Sequence, residues 1–387
     1  MTIDIRPVVR DLQPSLIREV ANAGMGNPGI LRFWFGESDQ PTATFIREAA
    51  IASLSAGETF YSQNLGRPYL REAIGTYLST LHEREIAPDR IAAMGSGLSA
   101  LMVASQLLLT PGDRVVAVTP LWPNVTEIPK ILGAEVARVP LAIANGRWTL
   151  DLDRLLAALT PETRLLIVNS PNNPTGWTIE DSEIDVLLAH CRKLGIWVLA
   201  DDVYERLVYD PARRSAPSFL RRYEPGDRIL SSNSFSKAWS MTGWRMGWLV
   251  APEELMGELT KLIEYNTSCI LEPSQRAGAV AVAQGESEVA ALRTRLATTR
   301  RVLTDGLRRL PGVEIPDAGG AMYGFFRIAG FEDSLDLAKR LVREAELGLA
   351  PGSAFGPEGD GWLRWCHATS VEAVEDGLGR LGKFLSR

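Results

Sequence analysis

Ile196-Trp-Val-Leu-Ala-Asp201 is a short apolar run that ends abruptly in an acid, with a second acid, Asp202, directly behind it. Such a run reads as a strand buried on both faces. The same grammar recurs in Arg114-Val-Val-Ala-Val-Thr119, Arg164-Leu-Leu-Ile-Val-Asn169 and Arg228-Ile-Leu-Ser-Ser-Asn233, and the recurring unit is an apolar run followed by a helical pattern. That alternation indicates an α/β fold, with a large domain built on a mostly parallel central sheet flanked by helices. The polar residues gather at strand C-terminal ends, where open parallel sheets hold their ligands.

Outward from these strands the texture changes. Beyond about residue 275, an arginine-rich helical pattern runs from Ser287 to Leu310, and Pro311-Gly312 and Asp317-Ala-Gly-Gly320 punctuate the second segment after it. The expected organisation is a large domain over 36–275 and a smaller α+β domain over 276–387. Residues 1–35 carry several Pro and Gly without sustained periodicity and read as an N-terminal arm; it is expected to pack with the small domain, although pattern does not say which domain it joins.

The chain has 387 residues, enough for a large core, and a net charge of -6 with both signs interspersed. No basic face is expected for nucleic acid or an anionic membrane. Met1-Thr-Ile-Asp-Ile-Arg-Pro7 lacks the layout of a secretory leader, and no apolar run approaches a bilayer span, so the expected location is the cytoplasm. Three cysteines, Cys191, Cys269 and Cys366, are far apart and odd in number, which argues against a disulfide framework. Two adjoin histidines, but no second pair stands at zinc-site spacing, so no metal site is expected.

Asn233-Ser-Phe-Ser-Lys237 and Thr242-Gly-Trp-Arg245 place one lysine in a hydroxyl-rich loop with an arginine just beyond it. A lysine that bonds an aldehyde needs an unprotonated amine, which partial desolvation and a neighbouring cation favour. Arg245 could supply that cation. Ser234, Ser236 and Arg245 suit the phosphate of a phosphorylated aldehyde cofactor, the arginine through its planar fork.

Gly95-Ser-Gly-Leu-Ser-Ala100 opens an apolar helix over Leu98 to Leu109, and backbone amides at a helix N-terminus cradle phosphate. The same residues match the Gly-x-Gly-x-x-Ala fingerprint of a dinucleotide site, but Asp113, in the turn Thr110-Pro-Gly-Asp113, stands before the next strand rather than at the end of one. Asp201 or Asp202 could pair with a protonated pyridine nitrogen, or cap the turn beyond. Ser170-Pro-Asn-Asn173-Pro-Thr-Gly176 is a loop at a strand end that can aim an amide at a ligand. Trp122 could stack on a planar ring or fill core. Arg364, in Gly361-Trp-Leu-Arg-Trp-Cys-His367, is a charge in an apolar run that needs a carboxylate partner, either a substrate or an internal acid.

Taken in order, these segments, with Gly36-Glu-Ser-Asp39 and Tyr61-Ser-Gln-Asn-Leu-Gly-Arg-Pro-Tyr-Leu-Arg71, resemble the class I/II aminotransferases of fold-type I. The resemblance runs from Gly36 to Arg364 and implies pyridoxal 5′-phosphate as cofactor. It implies that Lys237 holds the cofactor aldehyde as a Schiff base and later moves the proton. Asp201, three before Tyr204, would pair with the ring nitrogen. Tyr204 and Asn173 would bond the phenolic oxygen, and Trp122 would stack on the ring. Ser96, Gly97, Leu98, Ser234 and Arg245 would hold the phosphate, and Tyr61 would reach it from a second subunit of a homodimer. Arg364 would fork onto the substrate carboxylate, with Gly36 adding a backbone contact.

Two departures stand out: Glu37-Ser38-Asp39 replaces the family's Glu-Pro-Asp, and Leu98 lacks a side-chain donor. The activity implied is ping-pong transfer of an amino group from an L-amino acid to a 2-oxo acid. Alternatives are a lyase of the same fold and, from Gly95 to Ala100, a nicotinamide-dependent dehydrogenase. Arg32, Trp34, Arg67 and Lys130 are candidates for the pocket mouth that pattern alone leaves unplaced.

Overall fold

The computed structural model describes residues 4–387, so the first three residues of the expected arm lie outside the described residues. A seven-stranded sheet forms the centre, in the spatial order Ile91–Met94, Gly247–Val250, Ile229–Ser234, Trp197–Asp201, Thr163–Asn169, Arg114–Thr119 and Glu135–Pro140. Only Gly247–Val250 runs antiparallel to its neighbours. The four strands expected from apolar runs are all present and within a residue or so of the expected bounds. Their central residues are buried on both faces because helices cover both sides of the sheet.

The sheet delivers chemistry to one edge. Asn169, Asp201 and Ser234 end adjacent strands, with Asn169 in register with Asp201. Helix Gly97–Leu108 starts beside them, one residue ahead of the expected Leu98.

A second sheet, fully antiparallel, has the order Val313–Glu314, Tyr323–Ile328, Trp362–Cys366 and Ala350–Pro351. Helices Glu286–Arg308, Ser334–Ala345 and Val371–Leu385 accompany it. The expected boundary at residue 275 falls inside helix Glu272–Gln284, which packs on helices Thr44–Ser55 and Pro68–His82 beside the large sheet. Composition did not reveal this because its Ala-, Val- and Gly-rich sequence suits either neighbourhood.

Residues 4–35 contain real structure. Helix Leu16–Ala23 buries Ile17, Val20 and Ala21 and packs against helix Ser334–Ala345 and strand Ala350–Pro351. Strand Leu31–Arg32 pairs in parallel with Leu347–Gly348. Among the described residues, no helix is long and apolar enough to cross a membrane.

Candidate active site

A cavity of about 540 Å³ opens at the carboxyl edge of the large sheet, facing the smaller one. Its floor comes from the strand ends: Asn169, Asp201 and, from the loop after Thr163–Asn169, Asn173. Lys237 enters from the four-residue helix Phe235–Ala238, which Ser234 caps by accepting the Ser236 amide. Its Nζ donates to the Gly36 carbonyl and lies 5.8 Å from the centre of the Tyr204 ring. Burial lowers the Lys237 pKa to about 8. Arg364 and the expected Arg245 both add to that lowering as neighbouring cations.

Asp201 is buried and accepts only a long bond, 3.4 Å, from the Val203 amide, with no ion pair among the described residues. Burial raises its pKa to about 7, opposed by the Val203 amide and Lys237. A desolvated carboxylate of this kind fits a protonated ring nitrogen. Asp202 is occupied elsewhere: it accepts the Ser231 hydroxyl at 2.6 Å.

The residues expected to hold a phosphate also meet in the cavity. Gly97 and Leu98 line the cavity in the first turn of their helix, where amides lack intrahelical partners. Ser234 and Arg245 line the same end, and the Arg245 guanidinium donates to the Thr242 carbonyl at 2.8 Å. Ser96 stands just behind the lining, where its hydroxyl oxygen accepts the Ser99 amide at 2.9 Å. Two cations, a helix N-terminus and a buried acid at these positions suit the charge pattern of pyridoxal 5′-phosphate.

Across the cavity, Arg364 is 3% exposed yet has no carboxylate partner among the described residues. It donates to Asn173 Oδ1 at 2.9 Å and to the Trp34 carbonyl, lies over the Tyr323 and Phe355 rings, and leaves its Nε without an acceptor. The internal acid that would have accounted for it is absent from these surroundings, and a guanidinium so buried calls for an anion. Trp122 and Gly36 also line the cavity. A Cβ at Gly36 would overlap the Tyr323 hydroxyl, so this close approach requires glycine.

Not every expected residue converges. Tyr61 is 88% exposed and does not line its own chain's cavity. Arg32 and Trp34 line a smaller neighbouring pocket, Lys130 pairs with Glu127 at 2.7 Å, and Arg67 pairs with Glu272 at 2.7 Å. Other residues were missed. Tyr323 bonds the Tyr204 hydroxyl at 2.5 Å, but an aromatic in a strand reads as ordinary core. Asn169 accepts the Asn173 amide at 2.8 Å and donates to the Asp201 carbonyl at 3.1 Å. Ser15, Ile17 and Arg18 of the supposed arm, and Asn124, also line the cavity. The only cue to these was position at a strand or helix end.

A sequence profile described as Aminotransferase class I and II matches residues 30–381. The aspartate aminotransferase of Pyrococcus horikoshii is 31% identical over 377 residues, covering 97% of this chain and 95% of that protein. That of Thermotoga maritima is 31% identical over 358 residues, covering 92% of each. A single mutant of Thermus thermophilus aspartate aminotransferase superposes with a TM-score of 0.91 at 28% identity, over 99% of this chain and 100% of that one. The dehydrogenase reading of Gly95 to Ala100 falls with these matches, which span nearly the whole chain. The chain belongs to the class I and II aminotransferases, enzymes that move an amino group from an amino acid to a 2-oxo acid with pyridoxal 5′-phosphate as cofactor.

Proposed function

We propose that Lys237 is the residue that bonds the cofactor and moves the proton, and that Arg364 binds the substrate α-carboxylate. The observation that carries this reading is the pairing of a buried amine of lowered pKa with a buried guanidinium that has no carboxylate partner, in one cavity. When bound, the cofactor supplies an aldehyde that takes up the amino group and a ring that withdraws electrons from the substrate α-carbon. Asp201 keeps the ring nitrogen protonated by ion pairing. Tyr204 and Asn173 donate to the phenolic oxygen, and Trp122 covers the ring face. The Gly97 and Leu98 amides, with the Ser96 and Ser234 hydroxyls and Arg245, hold the phosphate. Arg364 and Gly36 would orient the substrate so that its α-proton faces Lys237 Nζ, which would take that proton from the α-carbon and give it to the cofactor's aldehyde-derived carbon, on the far side of the shared nitrogen.

A homodimer completes the site in this reading, with Tyr61 reaching the phosphate of the other subunit. Phe60, Tyr61, Tyr265 and Leu271 are large, exposed and grouped, since Ser62 bonds Cys269 and the Ile270 carbonyl. An apolar patch of this kind suits an interface. The smaller unit is taken to begin after Gln284, with residues 4–35 packing mainly on it, and the enzyme to act in the cytoplasm.

Borohydride reduction of the holoenzyme followed by peptide mapping tests the central assignment. The cofactor mass should appear on Lys237, and its appearance on another lysine would overturn the assignment. Ammonia release from a single amino acid without added oxo acid separates lyase side activity from transfer.

A further inference from the structure

We propose that Tyr323 is a positioning residue for the cofactor: its hydroxyl donates to the Tyr204 hydroxyl oxygen, and so aims and strengthens the hydrogen bond that Tyr204 gives to the phenolic oxygen of the cofactor. The inference rests on the role given above to Tyr204.

Two phenol groups bring two hydroxyl protons, and here they share one hydrogen bond. The Tyr204 and Tyr323 oxygens are 2.5 Å apart, and among the described residues neither hydroxyl has another partner. Both side chains are buried and both line the cavity. One proton occupies the shared bond, so the other must find its acceptor inside the cavity, because a buried hydroxyl without one is costly. Gly36 packs so closely on the Tyr323 hydroxyl that a Cβ there would overlap it, which leaves little open space on that side. Tyr204 stands beside the amine that bonds the cofactor, with Lys237 Nζ 5.8 Å from the centre of its ring. Tyr204 is therefore the group that turns its proton toward a ligand, and Tyr323 the group that donates into the shared bond.

The surroundings fix Tyr323 in this role. It opens strand Tyr323–Ile328, in antiparallel register with Cys366 of strand Trp362–Cys366, and its ring meets the Tyr204 ring edge to face, 5.7 Å between centres and 74° between planes. The Arg364 guanidinium carbon lies 4.5 Å from the centre of the Tyr323 ring. A cation in that place favours the ionised phenol and makes its O–H a better donor. Burial raises the Tyr323 hydroxyl to about 12, with Arg364 opposing the rise, whereas burial and then Tyr323 itself hold Tyr204 well above its ordinary value. Tyr323 is thus the more acidic partner, as a donor should be. An O–H that accepts a hydrogen bond becomes a stronger donor in turn, by about 10–30% per bond. The charged and titratable groups facing the pair are Arg364, Asp201, Lys237 and Cys366.

The test titrates the visible absorption band of the holoenzyme with pH, which reports the proton on the nitrogen that joins Lys237 to the cofactor. A donor to the phenolic oxygen favours the form in which that nitrogen has lost its proton, because the charge on the oxygen then has no other partner. Tyr204→Phe should therefore move the titration to higher pH. Tyr323→Phe, which keeps the ring beneath Arg364, should move it in the same direction by roughly a third as far. Added to Tyr204→Phe, it should produce no further shift. An unmoved titration in Tyr323→Phe, a shift to lower pH, or a shift that persists undiminished without the Tyr204 hydroxyl would each overturn the proposal. The two readings fail separately: an unmoved titration in Tyr204→Phe removes the Tyr204 assignment, whereas a shift in Tyr204→Phe with none in Tyr323→Phe removes only the role given to Tyr323.

Discussion

At the scale of single residues, the site depends on groups held in the wrong environment for their charge. Lys237 is an amine made easier to deprotonate by burial, with a pKa of about 8. Below that pH it carries a proton and cannot attack an aldehyde. Reloading of cofactor-free enzyme with pyridoxal 5′-phosphate should therefore accelerate as pH rises through about 8, measured by absorbance in a stopped-flow mixing experiment; a rate independent of pH from about 7 to about 9 would contradict this. Asp201 is the mirror case, its carboxyl raised to about 7 by burial. Without a cation to face it, the folded chain holds that proton after the unfolded chain has released it, so stability falls as pH rises from about 4 to about 7. Thermal melts of cofactor-free enzyme should show this fall, and Asp201→Asn should flatten its share of it. Asp202, also buried and held well above the usual carboxylate range by desolvation and the nearby Glu205, adds to the slope.

At the scale of elements, the proposed phosphate cradle depends on three backbones meeting closely. Strand Gly247–Val250 lies between strands Ile91–Met94 and Ile229–Ser234, directly beneath the turn that starts helix Gly97–Leu108. A Cβ at Gly247 would stand 2.5 Å from the Asn233 carbonyl oxygen and 2.6 Å from the Gly97 nitrogen, all of it backbone that cannot swing aside. Gly247→Ala should cost about 1–3 kcal/mol of stability, as overpacking does. It should also weaken cofactor binding, because the Gly97 amide is pushed from its aim. Chemical denaturation and a cofactor titration read the two effects. A variant as stable and as tight as the parent would show that the turn has more room than its geometry allows.

At the scale of the whole molecule, the cavity lies between two sheets, and the proposed homodimer would bring Tyr61 of a second copy to it. Tyr61 and Tyr265, 88% and 92% exposed, are costly to leave in water on a monomer. Sedimentation should find a dimer. Hybrid dimers then decide where Tyr61 acts: mixing Tyr61→Ala subunits with Lys237→Ala subunits should regenerate one site having both residues if Tyr61 works in trans. Activity well above that of either parent variant is expected, and hybrids no better than the Tyr61→Ala parent would place Tyr61 in its own chain's service.

Much of this architecture was written locally. The central strands are continuous apolar runs, so burial on both faces dictates them without reference to distant chain, and the polar residues ending them, Asn169, Asp201 and Ser234, fall beside one another in the sheet. Lys237, Arg245 and the Gly97 turn were legible because each motif carries its own local chemistry. What the tertiary structure alone decided is which distant groups meet. The bonds from Tyr204 to Tyr323 and from Arg364 to Asn173, and the arrival of Arg18 at the cavity, join residues far apart in the chain. Helix Leu16–Ala23 is amphipathic over only eight residues, too short to stand out as sustained periodicity in the sequence, and its packing on helix Ser334–Ala345 and strand Ala350–Pro351 is what brings Arg18 to the cavity. Sequence pattern encodes which face of an element is apolar; the close packing of the folded chain determines what the polar faces confront.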